Sequence, residues 1–312
     1  MRISRTCLRL SLGLAAVTTL LTGTSMAEAF AEPSPYPTAT WEEVQANEKQ
    51  WAQEGKVEAP TPPGVNRDNC TPTVPGAVPV VLLHGFAGDP YRAWGFLGPT
   101  LANAGLCVYA FSYGGSTAMQ GGGNGPLTAS AVEIKQKLTE LAARLGASKL
   151  DLIGHSEGGI MAQYVVKSDP SIAGLARSVT AISSPTRGTL GDIAASLLNI
   201  GNLRDQLPLP PAVKDLMGGS SFMRELNSGP VAVPGITYTT LVSEHDPVAA
   251  LGQNQATINE PGVDNVVLQD VCPASKAGHN GTPFSPTTAA IILNALDRSV
   301  VRPIPCQEDS TG

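Results

Sequence analysis

The clearest signal in the chain is an alternation of short apolar runs with longer stretches of helical periodicity. Val80-Val81-Leu82-Leu83 is a continuous apolar run, β-branched at its start and closed by His84-Gly85. A strand buried on both faces of a parallel sheet reads this way. Leu106 to Phe111, Leu150 to Ile153, Val179 to Ser183 and Ile236 to Val242 carry the same signature. Between them, Tyr91 to Gly105 predicts helix, as do Ile160 to Val166 and Thr287 to Leu296. Ala129 to Leu145 predicts a long amphipathic helix, with Val132, Ile134, Leu138, Leu141 and Leu145 on its apolar face and Gly146 as its stop. Strands alternating with helices imply right-handed crossovers and a mostly parallel central sheet flanked by helices, an α/β fold.

Two stretches break that rhythm. Between Thr186 and Pro230 no strand is evident, but Ile193, Leu197 and Ile200 line one face of a first amphipathic segment. Val213, Leu216 and Met217 begin a second, and Pro208, Pro210 and Pro211 separate the two. This predicts a helical cap over about residues 186–230, inserted above the carboxyl edge of the sheet. The pattern leaves open whether it swings as a lid or stands as a fixed wall. The other exception is a proline-rich arm, residues 32–75. Within it Trp41, Val44, Glu48 and Trp51 keep helical spacing behind Thr40, a candidate N-cap. The arm helix is expected to cover the flank of the fold rather than to take part in chemistry. The main domain then occupies residues 76–306 and a short tail 307–312.

Composition adds a compartment. Arg2, Arg5 and Arg9 precede an uncharged apolar stretch, Leu10 to Leu21, and small residues follow with cleavage-like ends at Ala27, Ala29 or Ala31. This is the pattern of an export signal over residues 1–27, too short to span a bilayer comfortably, and it predicts a secreted protein with no transmembrane segment after cleavage. Cleavage after Ala27 removes three arginines and no acid, taking the formal charge from −6 to −9. An acidic chain has no electrostatic attraction for nucleic acid or for anionic membrane surfaces. Cys7 leaves with the signal, and Cys70, Cys107, Cys272 and Cys306 remain. Four cysteines in an oxidising compartment predict two disulfides in one of three pairings. No C-x-x-C pair is present and the four histidines lie at no zinc-ligand spacing, so neither a metal nor a cofactor is expected.

The candidate chemistry begins at Gly154-His155-Ser156-Glu157-Gly158, a Gly-x-Ser-x-Gly turn between an apolar strand and a helix. A serine on such a turn adopts a strained backbone, and its neighbours must be small because chains pass closely there. A hydroxyl is a poor nucleophile without a base, and the base needs a carboxylate to orient it. In α/β folds with this turn the order along the chain is Ser, then Asp or Glu, then His. Only His245 and His279 follow Ser156. Asp246 comes directly after a predicted strand, ahead of Glu244, Asp264 and Asp270 as the acid. His279, in a glycine-flanked loop before the last helix, is the expected base, because His245 adjoins the acid in sequence. Backbone amides of Glu157 and of Phe86, in the loop after the first strand, are the expected oxyanion donors. His84 is expected to brace that loop rather than act as a base.

Several stretches together resemble the class 2 family of secreted bacterial lipases within the α/β-hydrolase superfamily. They are residues 80 to 86 (Val-Val-Leu-Leu-His-Gly-Phe), 105 to 111 (Gly-Leu-Cys-Val-Tyr-Ala-Phe) and 154 to 159 (Gly-His-Ser-Glu-Gly-Gly), with 184 to 189 (Ser-Pro-Thr-Arg-Gly-Thr). Residues 265 to 273 followed by His279 fit as well, and the likeness runs from about Asn69 to Cys306. The resemblance implies Ser156, Asp246 and His279 as the triad, and the disulfides Cys70–Cys107 and Cys272–Cys306. It implies a lipid ester as substrate, taken at a lipid–water interface or in solution, and a triacylglycerol lipase or esterase working through an acyl-enzyme. The same triad would also serve an acyltransferase or a polyester hydrolase. Two features depart from the family: Glu157 stands where Gln or Met is more usual, and the arm before Asn69 has no counterpart.

Overall fold

The computed structural model describes residues 35–56, 59–115, 121–189, 206–249, 255–297, 299–309 and 312. The predicted export segment and the first cap segment, with Ile193, Leu197 and Ile200, lie outside the described residues.

Among the described residues, six parallel strands form one sheet in the order β2-β1-β3-β4-β5-β6. They are β1 (Val80–Leu83), β2 (Val108–Ala110), β3 (Leu150–His155), β4 (Ala176–Ile182), β5 (Thr237–Val242) and β6 (Val263–Val267). In register, Val81 lies beside Tyr109 on one side and Leu152 on the other. All four residues of β1 are fully buried, as its unbroken apolar run requires. Successive residues face opposite ways: Val81 and Leu83 join one core cluster, Val80 and Leu82 the other.

The first core packs against α4 (Leu127–Leu145) and α5 (Glu157–Ser168), through residues such as Ile134, Leu138, Ile160 and Val165. The second packs against α3 (Leu97–Asn103), preceded by α2 (Pro90–Trp94), and against α10 (Pro286–Leu296). The chain leaves β1 toward one face and leaves β3 toward the other. Their loops therefore part at the carboxyl edge, and the crevice that opens there is where open α/β sheets bind ligands.

Several expectations shift in detail. Gly146 closes α4 in the left-handed conformation at φ 61°. Val132, however, is 67% exposed, being half a turn from the Ile134–Leu138–Leu141 stripe; Leu127 and Ala131 complete that face instead. The helix expected over 91–105 divides into α2 and α3 around Gly95 and Phe96. The edge strand β6 and the short helices α6 (Pro170–Leu175) and α9 (Leu268–Val271) were not anticipated. β6 alternates poorly because Asp264 and Asn265 are exposed on it. Asn265 earns its place through bonds, accepting from Thr240 Oγ1 at 2.8 Å and from the Ile258 amide at 2.9 Å.

The described part of the cap holds no strand but two short helices, α7 (Pro211–Leu216) and α8 (Ser221–Leu226). Ala212, Leu216, Phe222, Met223 and Leu226 are buried. Asp215 accepts from the Leu127 amide at 2.9 Å, and Phe222 lies 4.4 Å from the Tyr164 ring on α5. This half of the cap is fastened to the body. The arm forms α1 (Trp41–Gln53) with Thr40 as its N-cap, as the spacing predicts.

Candidate active site

Ser156 sits between β3 and α5 with φ 54° and ψ −121°, a conformation that non-glycine residues avoid. The surroundings hold it there. Its amide donates to the Ile182 carbonyl at 2.9 Å. A Cβ on Gly154 would fall 2.2 Å from the Gly158 carbonyl carbon, and one on Gly158 would fall 2.0 Å from the Leu83 carbonyl oxygen. Only glycine fits either place, so the motif's flanking residues follow from chain crossing.

Two loops bring the partners. Asp246 follows β5 and is fully buried. One of its oxygens accepts from the amides of Val248 and Ala249 at 2.8 and 2.9 Å; the other lies 2.9 Å from His279 Nδ1. His279 Nε2 lies 2.9 Å from Ser156 Oγ. Burial works to raise the Asp246 carboxyl, but the His279 bond and charge and the two amides outweigh it, leaving it below the ordinary 3.8. An ionised Asp246 accepts the Nδ1 proton and so leaves Nε2 free to accept from the serine. The arrangement can take the serine's proton as its oxygen attacks a carbonyl.

The loop carrying His279 is tied at many points. Ser243 Oγ donates to the Ala277 carbonyl at 2.5 Å, and Thr282 Oγ1 to the Gly278 carbonyl at 2.6 Å. Asp309 accepts from Ser275 Oγ and the Lys276 amide, both at 2.8 Å, and Cys272 is disulfide-bonded to Cys306 with Cα atoms 5.1 Å apart. The second disulfide joins Cys70 to Cys107, 5.6 Å apart.

His155 was not singled out from the sequence. It is buried, its ring 4.9 Å from that of His279, and its Nε2–H donates to the His279 carbonyl at 2.8 Å. Burial first, and then the charge of His279, lower it to about 3, so it stays neutral and keeps that tautomer. Nothing but its position beside Ser156 could have marked it. His84 does brace its loop. It stacks on Tyr113 at 4.4 Å, donates from Nδ1 to Gly85 O at 2.8 Å and accepts from the Tyr113 amide at 3.4 Å. Burial lowers it to about 4. His245 is exposed and makes neither of these contacts with Asp246 and Ser156.

A cavity of about 330 Å³ opens over Ser156 and His279. Phe86 and Glu157 both border it, and Gly85 permits the close approach: a Cβ there would fall 3.0 Å from Ser156 Cβ. The Glu157 side chain points into the body, fully buried, and neither carboxyl oxygen has a hydrogen-bond partner among the described residues. Burial raises this carboxyl well above its ordinary 4.5, and Asp215 adds to the effect. Tyr113 beside it offers little relief, because its hydroxyl proton is given to the His84 carbonyl at 2.6 Å.

The parallel sheet, the strained serine between strand and helix, and the later acid and histidine define an α/β-hydrolase fold. Aspergillus fumigatus lipase B shares that fold, with a TM-score of 0.59 at 20% identity over 76% of this chain and 56% of its own. Residues 77–291 match the family described as Lipase (class 2), and the chain belongs to it. A triacylglycerol lipase of Burkholderia plantarii is 34% identical over 140 residues, which are 43% of this chain and 36% of that protein. One of Pseudarthrobacter phenanthrenivorans is 36% identical over 116 residues, 36% and 34% of the two chains. The match thus spans only about a third of these two relatives. One of Vibrio cholerae serotype O1 is 27% identical over 235 residues, 72% of this chain and 66% of its own.

Proposed function

We propose that the protein is an exported carboxylic ester hydrolase acting on lipid esters, with acylglycerols of short to medium chain as its best substrates. The observation that carries the reading is the pair of 2.9 Å contacts aligning Asp246, His279 and Ser156 at the floor of an apolar cavity. Family membership supports the substrate class.

In this reading Ser156 Oγ attacks the ester carbonyl carbon while His279 Nε2 takes its proton. The carbonyl oxygen becomes an oxyanion held by the Phe86 and Glu157 amides. Collapse breaks the bond to the alcohol, which leaves with the proton from His279. Water then attacks the acyl-enzyme, again through His279, and releases the acid. Export is supported by the N-terminal pattern and by the two disulfides, which persist outside the reducing cytosol.

Turnover of nitrophenyl butyrate and of tributyrin tests the reading. Ser156→Ala and His279→Ala should each lower kcat by about 10⁴-fold or more with the fold retained, and Asp246→Asn should be severe. Near-normal turnover in His279→Ala would remove the proposed base.

A further inference from the structure

Helix α1 lies outside the stretch matched to the family, residues 77–291, yet its first residue lines the cavity over Ser156 and His279. The placement is built by several independent contacts. At the helix start Thr40 Oγ1 accepts from the Glu43 amide at 3.2 Å, and the Glu43 carboxylate accepts from the Thr40 amide at 2.8 Å. The Ala39 amide donates to the Gly95 carbonyl at 3.0 Å. Val44 is fully buried, and its Cγ2 would stand only 3.0 Å from a Cβ at Gly95. Asn47 donates to the Tyr91 hydroxyl at 2.9 Å, Arg92 donates to Glu48 at 2.7 Å, and Trp51 meets the Tyr91 ring edge-on at 4.9 Å.

These ties fix the half-buried Trp41 with its ring 5.4 Å from that of Phe284, at the end of the short turn Thr282–Phe284 that follows His279. Arg92, held by Glu48, also donates to the Ala87 carbonyl at 2.6 Å, in the loop that carries Phe86. The cavity's apolar lining draws on several parts of the fold, and two of them lie in different core clusters. Leu216 of α7 belongs to the core on the α5 face, whereas Trp41 and Phe284 belong to a separate cluster built around α1. An ester likewise has two arms diverging from its carbonyl.

We propose that Trp41 determines substrate specificity: with Phe284 it forms the wall that limits the length of the apolar chain accepted on the α1 side of the cavity. The arm is then part of the substrate site and not only a cover for the flank. The proposal rests on the ester-hydrolase reading.

The test compares the wild-type enzyme with Trp41→Ala and Trp41→Phe on two ester series. One varies the acyl chain from acetate to laurate with a fixed nitrophenyl group. The other varies the alcohol chain with a fixed acyl group. In Trp41→Ala, kcat/KM is read within each series relative to its shortest ester. For the longer members of one series it should rise by about fivefold or more, within the range that a changed apolar contact commands. Trp41→Phe should fall between. If Trp41→Ala fails to fold, Trp41→Leu keeps apolar bulk without the indole plane and must still shift the profile. A change by one common factor across both series, or none, overturns the proposal while Ser156-dependent turnover of short esters leaves the hydrolase reading standing. A wild-type enzyme with no Ser156-dependent turnover would overturn both.

Discussion

Replacing Glu157 by Gln should make the protein's stability less dependent on pH. In the folded state burial, assisted by Asp215, holds the Glu157 carboxyl protonated well above its ordinary value of 4.5. In the unfolded chain it ionises near that ordinary value. At a pH between the two values the native state binds one proton more than the unfolded state, so stability falls as pH rises. The sign is that of a raised folded value: full stability below the unfolded value, lost progressively toward the folded one. For one proton the slope is about 1.4 kcal/mol per pH unit. Glu157→Gln keeps shape and neutrality but cannot ionise, so its own curve lacks this contribution. A buried amide adds a cost or gain of its own, but one independent of pH. Other titrating groups are common to both proteins and cancel in the difference.

Urea unfolding followed by tryptophan fluorescence, with the disulfides intact, measures the gap; Trp94, fully buried, supplies a reporter. Between pH 5 and pH 6, where the unfolded carboxyl is mostly but not wholly ionised, the gap between Glu157→Gln and wild type should widen by about 1.2 kcal/mol in favour of the amide. The pH at which widening stops reports the folded value. A gap that stays constant from pH 4 upward would refute the reasoning, since it would mean Glu157 is ionised in the native protein.

Two further outcomes follow from the site's supports. His155→Phe removes the donor to the His279 carbonyl and should lower kcat by about tenfold, the worth of one well-placed hydrogen bond, with little change in KM. His155→Gln, which retains a donor, should recover part of it, and equal losses in both variants would count against a positioning role. Removing the Cys272–Cys306 bridge, which closes a separation of 34 residues, should cost about 3–4 kcal/mol of unfolding free energy. Activity should fall further than on removing Cys70–Cys107, because only the former restrains the loop of His279; denaturation curves beside ester assays at a permissive temperature decide this.

The buried strands were the most legible part of the fold. β1 matches its run of four apolar residues to the residue, because a strand covered on both faces leaves no polar position to confuse the pattern. β6 stayed hidden for the opposite reason: it is an edge strand whose Asp264 and Asn265 are exposed. Val132 was misplaced because an apolar residue near a stripe need not lie on it; burial is decided by the half-turn that separates it from Ile134. In the site, Ser156, Asp246 and His279 were readable as candidates from their order along the chain, and the structure brings them within hydrogen-bond distance of one another. His155 and Trp41 were not, because their places depend on contacts between distant segments: Nε2 of His155 to the His279 carbonyl, and the Trp41 ring against Phe284. The fixing of α7 and α8 to the body was equally invisible, as it runs through Asp215 and Phe222 to α4 and α5.

Mass spectrometry of the protein treated with a fluorophosphonate tests the central claim most directly. The account predicts one adduct per chain, on the peptide carrying Ser156, forming in step with the loss of ester hydrolysis and slowed by several orders of magnitude in His279→Ala. An adduct on a different serine, or hydrolysis surviving complete labelling of Ser156, would contradict it.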